Sequence, residues 1–141
     1  MVTTDVIIDF LKDKIGSDDI KVDSDLYSDL GVYGDDFDEL ISDYSKKFTV
    51  NMDKYLWYFH MTEEGGQCSI GGMFFTPPYK RIQRIPVTPK MLTEFANKAQ
   101  WYIDYPEYKL PKRRWDILIN QVLILGLLTW LIVKWIISYF E

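Results

Sequence analysis

The chain has 141 residues, 48% of them hydrophobic and 16% aromatic, with a formal net charge of −5. A single cysteine, Cys68, excludes an internal disulfide, and with the single His60 it also excludes a typical zinc site. The 114 residues before Trp115 are enough for one compact domain with a modest core.

Thr3-Thr4-Asp5 offers a helix start, and Val6, Ile7, Phe10, Leu11 and Ile15 follow at helical spacing, with Gly16-Ser17 as the stop. Residues 17–35 read as a long acidic connection anchored by Ile20, Val22, Leu26, Leu30 and Val32. Asp35 or Asp36 then caps a second helix with Phe37, Leu40, Ile41, Tyr44 and Phe48 on its core face. The segment Asp53 to His60, dense in aromatics, predicts a short third helix, with His60 as a surface or capping residue. Residues 62–87 form an excursion containing Gly and Pro, with a short strand near Met73–Phe75. Thr88-Pro89 is a good N-cap and first-turn pair for a helix carrying Met91, Leu92, Phe95, Ala96 and Ala99 and ending near Trp101. Residues 1–101 are therefore expected as an all-α bundle with a long first loop, and residues 102–114 as a stiff, basic juxtamembrane linker.

From Ile117 to Val133 there is no charge, and apolar character resumes after Lys134. A bilayer core takes about 20 apolar residues, so residues 115–140 predict a single transmembrane helix. A buried amphipathic hairpin is the competing reading, but it would show polar alternation. Lys112, Arg113 and Arg114 precede the span, which puts the domain on the cytoplasmic side of a bacterial inner membrane. The run Val6 to Leu11 is too short, and too interrupted by Asp9, to act as a signal; the expected form is a tail-anchored protein. Trp115, Trp135 and Tyr139 suit the two interfaces, and Lys134 lies near enough to the far side to snorkel. Asn120 and Gln121 are either interfacial or contacts to a neighbouring helix, in which Lys134 would share.

Charge is unevenly divided. Residues 1–60 carry fourteen acids and six bases, whereas residues 65–114 carry nine bases and three acids. The basic part can rest on anionic headgroups, at about 1 kcal/mol per close cation. The acidic part should face away from lipid and prefer a basic protein surface, and nucleic acid is not an expected partner. Asp36, Glu39 and Asp43 recur at helical spacing, and with Asp35 they are the expected partner-binding set. Acids in a first helical turn also favour the helix dipole, which accounts for Asp35 and Asp36 without any partner.

The stretch Asp29-Leu30-Gly31-Val32-Tyr33-Gly34-Asp35-Asp36-Phe37-Asp38-Glu39-Leu40, with Phe48 eight residues on, resembles acyl carrier proteins in loop, helix start and spacing. The fuller pattern, with Tyr58-Phe59 and Arg84-Ile85-Pro86-Val87-Thr88, is similar to an uncharacterised acyl-carrier-like family of enterobacteria. That resemblance implies an acyl-carrier-like helical fold over residues 4–101 and a second helix that docks on basic partners. It also implies a phosphopantetheine-bearing serine, but the position falls on Gly34, or on Asp36 if the register slides by two. Glycine has no side-chain oxygen to esterify, and aspartate would give a labile mixed anhydride. No cofactor is therefore expected.

Other chemistry is poorly supported. Asp35-Asp36 has no evident nucleophile or histidine beside it, so acid–base hydrolysis is not expected. Asp23-Ser24-Asp25 begins a calcium-loop pattern, but Tyr27 and Ser28 stand where the next ligand and the glycine belong. The aromatic group Tyr55, Trp57, Tyr58, Phe59, Phe74 and Phe75 reads as core, or as cover for an acyl chain or partner helix. The resulting expectation is a non-enzymatic, membrane-anchored interaction module. The alternatives are an immunity or inhibitor protein against a toxin, and a carrier modified at a non-standard serine.

Overall fold

The first helix, α1 (Thr4–Ile15), buries Ile7, Phe10 and Leu11 and stops at Gly16, whose φ of 72° is the left-handed conformation that glycine adopts at little cost. The computed structural model describes residues 1–63 and 69–140. Among the described residues the protein is all-α, with five helices, no strand and one isolated parallel bridge between Asn51 and Gln100.

The second helix, α2 (Gly34–Phe48), buries Phe37, Leu40, Ile41 and Tyr44, the stripe its periodicity predicts. Phe10 meets Phe48 edge-on at 5.6 Å and Tyr44 at 6.4 Å, which joins α1 to α2. A short helix, α3 (Ile70–Phe74), follows, and then α4 (Pro89–Lys98), where the Thr88 hydroxyl accepts from the Met91 amide at 3.3 Å. The Tyr44 hydroxyl donates to the Leu92 carbonyl at 2.5 Å, tying α2 to α4. Ile7, Leu11, Phe37, Leu92 and Trp101 are fully buried at the centre. The long first connection is pinned to this core: Ile20, Leu26 and Val32 are buried, and the Leu26 amide donates to the Val87 carbonyl at 3.0 Å.

Several local expectations are corrected. α2 begins at Gly34, so Tyr33 is its N-cap, and Asp35 and Asp36 sit in the first turn rather than capping it. The aromatic segment makes only a single 3-10 turn, Trp57–Phe59. Met73–Phe75 is not a strand, because α3 occupies that stretch and the Ser69 side chain accepts from the Gly72 amide at 2.9 Å. α4 ends at Lys98: Ala99 turns left-handed at φ 50°, and its carbonyl accepts from the Asn51 amide at 3.0 Å. His60 is fully buried, not on the surface. Of the excursion over 62–87, residues 64–68, including Cys68, lie outside the described residues.

The fifth helix, α5 (Trp115–Phe140), touches α3 through its first turns and is otherwise exposed. Only 6% of its most apolar window is buried. It is the one described helix long and apolar enough to cross a membrane, and its exposure is consistent with a single span.

Candidate functional site

α2 carries the acids that the sequence singles out, but the helix divides them between two surfaces. Asp36 and Glu39 are exposed along a cleft of about 380 Å³ that runs between the end of α1 and the Leu30–Val32 loop. Asp35 and Asp38 point into a different cavity, of about 520 Å³, shared with Trp57, Met61, Glu63, Arg114, Asp116 and Asn120. There burial, followed by the neighbouring Asp35, raises the pKa of Asp38.

Asp43, the third member of the expected stripe, is only half-exposed. It pairs with Lys14 at 2.5 Å and with Lys46 at 3.8 Å. The hydrogen bond from Lys14 holds its carboxyl below the usual range. Asp35, Asp36 and Glu39 make no ion pair among the described residues.

Two acids of the long loop have internal work. Asp25 is buried and accepts from Arg84 at 2.5 Å, from the Ser28 hydroxyl at 2.7 Å and from the Val87 amide at 3.1 Å. Burial pushes its carboxyl upward, but the hydrogen bonds from Arg84, Ser28 and Val87 outweigh that and leave it lowered. The Asp29 carboxylate in turn accepts from the Asp25 amide at 2.8 Å. The sequence shows this only as excess loop charge, because Arg84 is 59 residues away.

Gly34 opens α2 at φ 59°, a backbone conformation that favours glycine at this very position. Three of the nearby serine hydroxyls make hydrogen bonds elsewhere. Ser28 donates to Asp25, Ser45 donates to the Ser42 carbonyl at 2.8 Å, and Ser24 accepts from the Lys21 amide at 3.0 Å. No group of three or more His, Cys, Asp or Glu among the described residues is placed to hold a metal ion.

At the start of α5, Arg114 forms a clamp. Its guanidinium donates to both Glu63 oxygens, at 2.9 and 2.6 Å, and to Asp116 at 3.0 and 2.7 Å. Its charge is therefore matched by two carboxylates of the same chain. Lys112 and Arg113 remain exposed, with the Arg113 guanidinium 5.9 Å from the Trp115 ring. The Asn120 side-chain oxygen accepts from the Gly71 amide at 2.8 Å, a partner within the same chain. Gln121 is exposed; Lys134 lies 5.3 Å from the Trp130 ring, and Trp135 stacks with Tyr139 at 6.0 Å.

The expected linker has no regular secondary structure, but it is stitched to the domain by Tyr105. The Tyr105 hydroxyl meets His60 Nε2 at 2.8 Å and accepts from Trp101 Nε1 at 2.9 Å and the Leu56 amide at 3.3 Å. With two N–H groups already donating to it, the phenol gives its own proton to His60. His60 Nδ1 then carries a proton and donates to the Ile85 carbonyl at 2.9 Å. Burial lowers the His60 pKa to about 4, so the ring is neutral near pH 7. No sequence signal marks this network, since the two groups bonded to the ring of the lone histidine, Ile85 and Tyr105, lie 25 and 45 positions away.

No curated protein and no solved structure matches the chain. The model of one family matches residues 4–104, which takes in α1 to α4 and stops short of α5. The chain thus belongs, through its helical domain, to the family described as protein of unknown function (DUF1493).

Proposed function

We propose that this chain is a non-enzymatic, membrane-anchored interaction module. Its helical domain is acyl-carrier-like but lacks the phosphopantetheine attachment point, and it docks a basic protein through α2. The observation that carries the reading is the state of Asp36 and Glu39: two exposed carboxylates on one helical face, without ion pairs among the described residues. Asp35 adds charge at the adjoining cavity, and Asp43 contributes less because Lys14 and Lys46 already balance it.

Support for the carrier-like part comes from the loop and helix pattern around Asp29 to Leu40 and from Gly34 at the position where a carrier has serine. The exposed apolar helix α5, preceded by Lys112 and Arg113, supports anchoring with the domain on the cytoplasmic face of a bacterial inner membrane. Within the bilayer, Gln121 and Lys134 are the side chains available to another membrane subunit.

Crosslinking in native membranes tests the docking. The wild-type chain should capture a basic partner with crosslinks mapped to the first half of α2, and the double variant Asp36→Lys/Glu39→Lys should lose it. Undiminished capture by that variant would remove α2 from the interface.

A further inference from the structure

The side of α3 turned away from the domain is apolar. Ile70, Met73 and Phe74 are 53%, 80% and 74% exposed, and Phe75 follows directly. A helix facing water carries polar residues on its outer side, and large exposed apolar patches mark surfaces that something covers. The other side of α3 is fixed to α5: Gly71 is buried against the Asp116 backbone, its amide donates to Asn120, and the Phe75 and Trp115 rings lie 6.4 Å apart.

The level of this attachment is informative. The 26 residues of α5 extend about 39 Å at about 1.5 Å each. A hydrocarbon core is about 30 Å thick, so in a span along the bilayer normal roughly six residues lie among headgroups. The polar residues Asp116 and Asn120 favour the N-terminal end for that surplus, in the turns that α3 grips. Two cations stand beside the patch: Arg81 donates to the Thr76 carbonyl at 2.8 Å, and the Arg113 guanidinium lies 5.9 Å from the Trp115 ring. An apolar face edged by cations is the composition of a helix lying in an anionic membrane interface.

We propose that α3 is a wedge that enters one leaflet beside the span, with Ile70, Met73 and Phe74 at the boundary of headgroups and acyl chains and Arg81 and Arg113 at the phosphates. The occupant of the patch is lipid, because α3 is held at the depth where α5 enters the bilayer. The inference rests on α5 crossing the membrane.

The test is nitroxide accessibility on the full chain in vesicles of phosphatidylcholine and phosphatidylglycerol. Labels are placed by Met73→Cys and, separately, Phe74→Cys in a Cys68→Ser background. Leu127→Cys serves as the mid-span reference and Lys46→Cys, on the last turn of α2, as the aqueous one. Labels at 73 and 74 should collide with oxygen in preference to a nickel chelate, at a depth of about 5–10 Å. Aqueous behaviour at both sites while Leu127 is in lipid would overturn the wedge and leave the span intact. Aqueous behaviour at Leu127 would overturn both, and shielding of 73 and 74 from both reagents would show that protein covers the patch and end the proposal.

Discussion

A Cβ added to Gly71 would lie 1.9 Å from the carbonyl oxygen of Asp116, so α3 and α5 meet backbone to backbone with no room for a side chain between them. The Gly71 amide reaches Asn120 across the same contact, at 2.8 Å. Gly71 is thus one of the points, with Arg114, at which the helical domain meets the apolar helix.

Gly71→Ala should break this contact. Overpacking of a close approach costs about 1–3 kcal/mol, and the loss is local to α3. Hydrogen exchange on the full chain in detergent is expected to show faster exchange of the amides of α3, with those of α1 and α2 unchanged. Wild-type protection in α3 would mean that the two helices do not depend on this contact.

Tyr105→Phe removes the hydroxyl that joins His60, Trp101 and the Leu56 amide. Leaving buried polar groups unpaired costs about 1–3 kcal/mol, which should lower the thermal midpoint. Phenylalanine keeps the ring packing against Phe59, so the loss reports the hydrogen bonds. A midpoint equal to wild type would show that the linker is not stitched here.

Stability should fall with acid in a window set by His60. Its folded pKa, about 4, lies below the ordinary value of 6.5, so between these the unfolded chain binds a proton that the folded chain does not. The full contribution is present above pH 6.5, declines as pH drops, and is gone below pH 4, for a total of about 3 kcal/mol. Asp25, also lowered, extends the loss below its ordinary 3.8. Denaturant midpoints measured across this range should therefore slope upward with pH. His60→Gln should flatten the part between 4 and 6.5, and an unchanged slope in that variant would assign the titration elsewhere.

Charge reversal on α2 should separate docking from stability. Asp36→Lys and Glu39→Lys, both exposed, are expected to shift stability by no more than about 0.5 kcal/mol each. Asp43→Lys takes away the pair to Lys14 and sets three lysines together at positions 14, 43 and 46, so it should lower the midpoint more than either. Equal effects from all three would show that the Lys14 contact carries no weight in solution.

Intact mass after co-expression with a phosphopantetheinyl transferase should be that of the bare chain, since Gly34 has no hydroxyl. A mass increment mapped to any serine, Ser28 and Ser42 included, would restore the carrier chemistry.

Periodicity made α1, α2 and α4 legible because each buries one stripe and exposes the rest, and a long uncharged run did the same for α5. What stayed hidden depends on contacts remote in sequence. Ile70-Gly71-Gly72-Met73-Phe74 has weak helix propensity, and its form follows from docking on Asp116, 45 residues later. Arg114 reads like its neighbours Lys112 and Arg113 until Glu63 is seen beside it. Asp25 in the loop and Asp36 at the helix start both read as acids open to solvent, yet one is held by Arg84 and the other is exposed. Helical spacing correctly put Asp36, Glu39 and Asp43 on one side of α2. It gave no warning that Lys14 from α1 would neutralise the last of them.

Tyr105 also governs reach. A domain fastened ten residues before Trp115, and gripped again by Arg114, has no long leash, so under the proposed anchoring its acidic helix would keep one height above the lipid. Under that reading a partner would have to come to that plane to meet it. Encounters would then favour molecules that travel along the bilayer over those that arrive from the depth of the solution.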